Sequence, residues 1–154
     1  MIKFLALISV LVASFLAVSA KEVIPPYAIF NYGEGKSLKY AATIDIKSEA
    51  SFTGICILKR TNERIVGSMV NEFGIKAFDF VYEECGQSFE LHNVISFFNK
   101  RFVKRTVKRD MRYLVTYGIN VKKDKSRKVS VNEDGTIVLE NLKHGIKYTL
   151  IPLV

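Results

Sequence analysis

Several residue types are scarce enough to bound what this chain can do. It holds two cysteines, two histidines and no tryptophan in 154 residues. Two cysteines cannot staple a disulfide-dense mini-protein, and His92 and His144 cannot supply a site that needs three imidazoles. Nine glycines and three prolines are too few for a collagenous or low-complexity chain. Acidic residues are the minority charge, 15 against 23 lysines and arginines, for a formal net charge of +8. There is no phosphate-binding glycine loop, nucleophile elbow or metal-ligand spacing. A nucleophilic pairing of Cys85 with His92 or His144 lacks an evident third group to orient the imidazole. The acidic pairs Glu83-Glu84 and Glu133-Asp134 fall at strand ends and turns, where they serve solubility and turn chemistry better than acid–base catalysis. These absences point to a protein that is not an enzyme and takes no metal or cofactor.

About half of the chain is apolar and a quarter charged, enough for one packed domain. Its first 20 residues read as a secretory signal: Lys3, an apolar run from Phe4 to Val18 broken only by Ser9 and Ser14, and then Val18-Ser19-Ala20 before Lys21. Small residues at −3 and −1 suit the peptidase, so cleavage is expected after Ala20. The run is shorter than the roughly 20 residues that span a bilayer, and no lipid-attachment cysteine follows it. The expected location is the periplasm. Export also removes nucleic acid as a partner and leaves anionic lipid or an acidic envelope protein as the chemistry that matches the excess positive charge.

Residues 21–36, with Pro25-Pro26 and the glycines around Tyr32, read as an irregular lead-in. From residue 37 onward the chain reads as one domain. Leu38, Tyr40, Ala42, Ile44 and Ile46 alternate with less apolar neighbours, the period of a half-buried strand. Strands are expected next near 51–60, 63–72 and 75–83, turning at Thr61-Asn62 and Phe73-Gly74. The segment 51–58 is apolar on both faces and calls for cover on each. Leu91, Val94, Ile95 and Phe98 fall at helical spacing after Cys85-Gly86. Asn99 then resembles the cap of a second helix, Lys100 to Val115, whose Val103, Val107, Met111 and Leu114 form one stripe. Strands near 128–132, 136–141 and 146–153 close the chain through Glu133-Asp134-Gly135 and Lys143-His144-Gly145. The expected fold is thus mainly β (α+β): a curved antiparallel sheet or incomplete barrel with a two-helix insertion at about 88–116 covering one face.

Three groups of residues are candidates for function. Phe78, Phe80 and Val66 from the sheet, with either Phe52 or Ile55 from the strand near 51–60, and Leu91, Ile95 and Phe98 from the insertion would line an apolar cavity between the layers. Such a cavity would take an acyl chain, stabilised by about 0.8 kcal/mol per buried methylene. Arg101, Lys104, Arg105, Lys108, Arg109 and Arg112 form a cationic helix face relieved only by Asp110. Like charges at helical spacing repel, so their retention points to an anionic partner. A second basic cluster follows at Lys122, Lys123, Lys125, Arg127 and Lys128. Cys56 and Cys85 are a possible disulfide, closing a loop of about 30 residues for roughly 3 to 4 kcal/mol if the two Cβ atoms converge.

Phe52-Thr53-Gly54-Ile55, then Val70-Asn71-Glu72-Phe73-Gly74-Ile75-Lys76-Ala77-Phe78-Asp79-Phe80, then Phe98-Asn99-Lys100-Arg101 and Asp110 resemble a family of uncharacterised exported proteins and lipoproteins of Gram-negative bacteria. That family is distantly similar to the periplasmic lipoprotein-sorting carriers and receptors with the Lol-type fold. The resemblance spans roughly residues 37–153. It implies a strongly curved, incomplete antiparallel barrel whose mouth is plugged by helices, with room for acyl chains. The expected function is accordingly a soluble periplasmic carrier that binds a lipid or lipoprotein acyl group non-covalently. The alternative is a structural or protein-interaction module of the envelope, with a solid core and a basic docking face.

Overall fold

The computed structural model describes residues 30, 35–47, 50–117 and 124–154. The leader, most of the lead-in, and Lys122 and Lys123 lie outside the described residues. The order of elements is β1 (Ser37–Ile46), β2 (Ala50–Thr61), β3 (Arg64–Asn71), β4 (Lys76–Glu83), β5 (Ser88–His92), α1 (Arg101–Val115), β6 (Arg127–Val131), β7 (Ile137–Asn141) and β8 (Ile146–Pro152). All eight strands pair antiparallel in one sheet ordered β5-β4-β3-β2-β1-β8-β7-β6.

The sheet is not closed. Its two edges, β5 and β6, are the strands that flank α1 in sequence, so the helix is the connection that carries the chain from one edge to the other. Laid flat, eight strands at about 4.8 Å spacing would spread over roughly 34 Å. Yet Lys108 and Asp110, within one turn of α1, reach Glu90 on β5 and Asn141 on β7 respectively. One helix can touch both ends only if the sheet bends around it.

Two glycines accommodate close approaches within the bent sheet. Gly67 lies opposite Phe80, and a Cβ there would sit 2.1 Å from the ring. Gly54 lies opposite Asn71, and its Cβ would sit 2.1 Å from the Val70 carbonyl oxygen, beside a bulge at Met69/Val70. A bare backbone lets ring and neighbouring strand pass where a side chain would clash.

The core occupies the face that α1 covers. Tyr40, Ala42 and Ile44 of β1, Cys56 and Leu58 of β2, Ile65 and Met69 of β3, Phe78, Phe80 and Tyr82 of β4, and Tyr148 and Leu150 of β8 are buried there. Register places them in cross-strand rows, such as Tyr40–Cys56–Met69–Phe78.

The two-helix insertion is replaced by a strand and one helix. Ser88–His92 pairs with β4, with Phe89 and Leu91 inward and Glu90 and His92 outward. Asn93 then takes a left-handed φ of 52°, and residues 96–98 form a tight turn. The same apolar positions that satisfy helical spacing are divided here between a short strand and a turn. The residue capping α1 is Lys100 rather than Asn99, and it offers no side-chain hydrogen bond. On the second face of β2, Ile55 and Ile57 point away from α1, and among the described residues Ile57 is half-buried and Ile55 exposed.

Candidate functional site on the basic helix

Helix α1 forms because its apolar residues recur at three and four positions. Val107, Met111, Leu114 and Val115 are buried, and Val103 packs partly against them. Asp110 falls on the same stripe and is completely buried. A buried carboxylate is tolerated only where donors replace its water. Oδ1 accepts hydrogen bonds from Arg127 Nε at 2.7 Å and Asn141 Nδ2 at 2.9 Å. Oδ2 accepts from the Tyr148 hydroxyl at 2.9 Å and from Asn141 Nδ2 at 3.0 Å. One carboxylate therefore pins the middle of α1 to β6, β7 and β8.

A second layer holds Arg127 in place. It pairs with Asp124, and its guanidinium carbon lies 5.8 Å from the centre of the Tyr113 ring, a cation–π arrangement. The Asp124 carboxyl in turn accepts from the hydroxyl and backbone N–H of Ser126. Those bonds first, and Arg127 after them, hold it below the usual carboxylate range. Burial, reinforced by the adjacent Asp110 charge, pushes the Tyr148 hydroxyl well above its ordinary value, so it stays protonated and donates.

The opposite side of the helix is different. Arg101, Arg105, Arg109 and Arg112 are exposed and Lys104 half-buried. Among the described residues none of these five side chains forms an ion pair. Lys108 is the exception, bonded to Glu90 on β5 at 3.0 Å.

The expected cavity residues separate into two sets. Phe52, Phe78 and Phe98 meet: Phe98 contacts each of the other two rings at a centroid distance of 5.6 Å. Phe80 stacks on Phe89 at 5.8 Å. Leu91 faces inward on β5, and Ile95 lies in the following turn, its N–H bonded to the Ala77 carbonyl. Of the two alternatives on β2, Phe52 points inward and Ile55 outward. Val66 also belongs to the outer face, paired with Lys59 and Val81. It cannot line a space shared with the phenylalanines.

Cys56 and Cys85 are both free thiols. Cys56 faces the core between Tyr40 and Met69, and burial pushes its thiol up to about 12. Cys85 sits exposed in the β4–β5 turn. The possible disulfide is therefore not formed, because one sulfur lies inside the sheet and the other beyond its end. His92 ends β5 rather than lying on a helix, and His144 lies in the β7–β8 turn against the Phe102 ring at 5.0 Å.

The Asp110 partnership with Arg127, Asn141 and Tyr148 was not anticipated from sequence. Its signal is the single acidic residue standing on the apolar stripe of an otherwise cationic helix. No family model, curated protein or solved structure matches this chain.

Proposed function

We propose that the protein is an exported, non-catalytic binding module of the cell envelope, and that it docks on an anionic membrane surface through the outer side of α1. The observation that carries this reading is the row of five cations on that side that form no ion pair among the described residues. Such a row repels itself on a helix, and each cation near an anionic membrane is worth on the order of 1 kcal/mol. The anchoring of α1 through Asp110 supports a rigid docking face. The direct contacts among Phe52, Phe78 and Phe98 support a filled interior at that end. The test is sedimentation with vesicles containing phosphatidylglycerol at low salt. The wild type should bind, Lys104→Glu/Arg105→Glu/Arg109→Glu should not, and added salt should release the protein as the Debye length falls from about 10 Å at 0.1 M to about 3 Å at 1 M. No binding by the wild type at low salt would overturn the reading.

The acyl-carrier reading rests on another observation, the sheet left open between β5 and β6 with one helix across the gap. Carriage of a chain would require the Phe98 cluster to part. Native mass spectrometry of protein purified from its own envelope tests it: a co-purifying acyl lipid would favour a carrier, and bare protein the docking module.

A further inference from the structure

The antiparallel register divides the turns between two ends of the sheet. The β1–β2, β3–β4 and β7–β8 turns lie at one end, together with the 93–100 connection and the start of α1; the β2–β3, β4–β5 and β6–β7 turns lie at the other. Two contacts tie the first group together. Lys47 N–H bonds to the Gly145 carbonyl at 2.9 Å, and the Phe102 and His144 rings meet at 5.0 Å.

The two ends differ in chemistry. The first carries five exposed large apolar side chains: Phe73, 78% exposed, Leu142, 63%, Phe102, 52%, and also Ile75 and Phe97. Lys47, Lys100, Arg101 and Lys143 are exposed among them, and the exposed acids at this end among the described residues are Glu72 and, beside the β1–β2 turn, Asp45. The turns at the other end carry Glu63, Glu84, Glu133 and Asp134, with Arg60 and Arg64 paired to Glu84 and Glu83. The exposed large apolar residues at that end, Ile151, Leu153 and Val154, belong to the end of β8 and the tail after it and not to the turns.

Resting on the docking reading above, we propose that the first end is inserted into the membrane: its five apolar side chains enter the acyl boundary of an anionic phospholipid bilayer while the surrounding cations meet the phosphates. Apolar side chains standing out from separate turns, with cations between them, match a deformable interface that is apolar beneath and anionic above. An acidic protein face would satisfy the cations and leave the rings in water. Because α1 starts at this end, its cationic side runs along the adjoining flank, and the β2–β3, β4–β5 and β6–β7 turns point away from the bilayer.

The absence of tryptophan gives a clean probe. Phe102→Trp and Leu142→Trp each introduce one indole, and on binding vesicles of phosphatidylglycerol and phosphatidylcholine each should shift to the blue and be quenched by lipids brominated in the acyl chain. Ile151→Trp, at the opposite end, should show neither change. Phe73→Ser/Phe102→Ser/Leu142→Ser should weaken vesicle binding by about tenfold or more with only a small drop in melting temperature, since Phe73 and Leu142 are exposed and Phe102 gives up one ring contact, that with His144. Binding without quenching at positions 102 and 142, or an undiminished affinity of the triple serine variant, would overturn the insertion while leaving electrostatic docking in place. If charge reversal on α1 left vesicle binding unchanged, the docking reading itself would fall.

Discussion

On its inner side α1 presents one carboxyl group, Asp110, to three residues that all donate to it; on its outer side it presents five cations that bond to no acid among the described residues. The difference follows from solvent. A charge taken out of water must have its lone pairs matched, and once matched it fixes the position of the element that bears it. A charge left in water costs little alone, so the outer cations place no constraint on the helix and remain available to a partner. Here the inner side sets where the helix sits and the outer side what it can meet.

The strongest test of this contrast is Asp110→Ala. It leaves the Arg127 side chain, only 11% exposed, without its buried acceptor, and strands Tyr148 and Asn141 as well. The expected loss is about 3–5 kcal/mol, read from urea unfolding at neutral pH. A loss under about 1 kcal/mol would put Asp110 on the footing of a surface charge and erase the distinction between the two sides.

Tyr148→Phe sharpens the comparison by removing one donor from the carboxylate while Arg127 and Asn141 remain. A hydrogen bond to a charged group is worth about 1.5–3 kcal/mol, and a loss in that range is expected by the same measurement. On the outer side, Arg105→Gln/Arg109→Gln should change stability by no more than about 0.5 kcal/mol. Glutamine keeps the helix propensity of arginine, and relief of like-charge repulsion acts in the stabilising direction. A larger loss would mean that these arginines hold the fold and are not a free docking face.

Much of this was legible in the chain because it repeats locally. Period two over Leu38–Ile46 specified β1 and its inward residues, and the stripe Val103, Val107, Met111 and Leu114 specified the helix and its cationic back. Strand β5 was not legible. Phe89 and Leu91 alternate over only five residues, while Leu91, Val94, Ile95 and Phe98 also fit helical spacing. The pairing of Phe89 with Tyr82 and of Leu91 with Phe80 decided between the two.

What the sequence determined by itself, then, was the antiparallel β class, the helix and the charge on its exposed side, because each depends on neighbours within a few residues. The tertiary structure decided which face of β2 is inside, so that Phe52 packs and Ile55 does not. It decided that Cys56 and Cys85 stay apart, and that Asp110 meets partners 17, 31 and 38 residues later in the chain. Those outcomes depend on which distant strands pair and in what register, and periodicity within one strand or helix carries no record of its eventual neighbour.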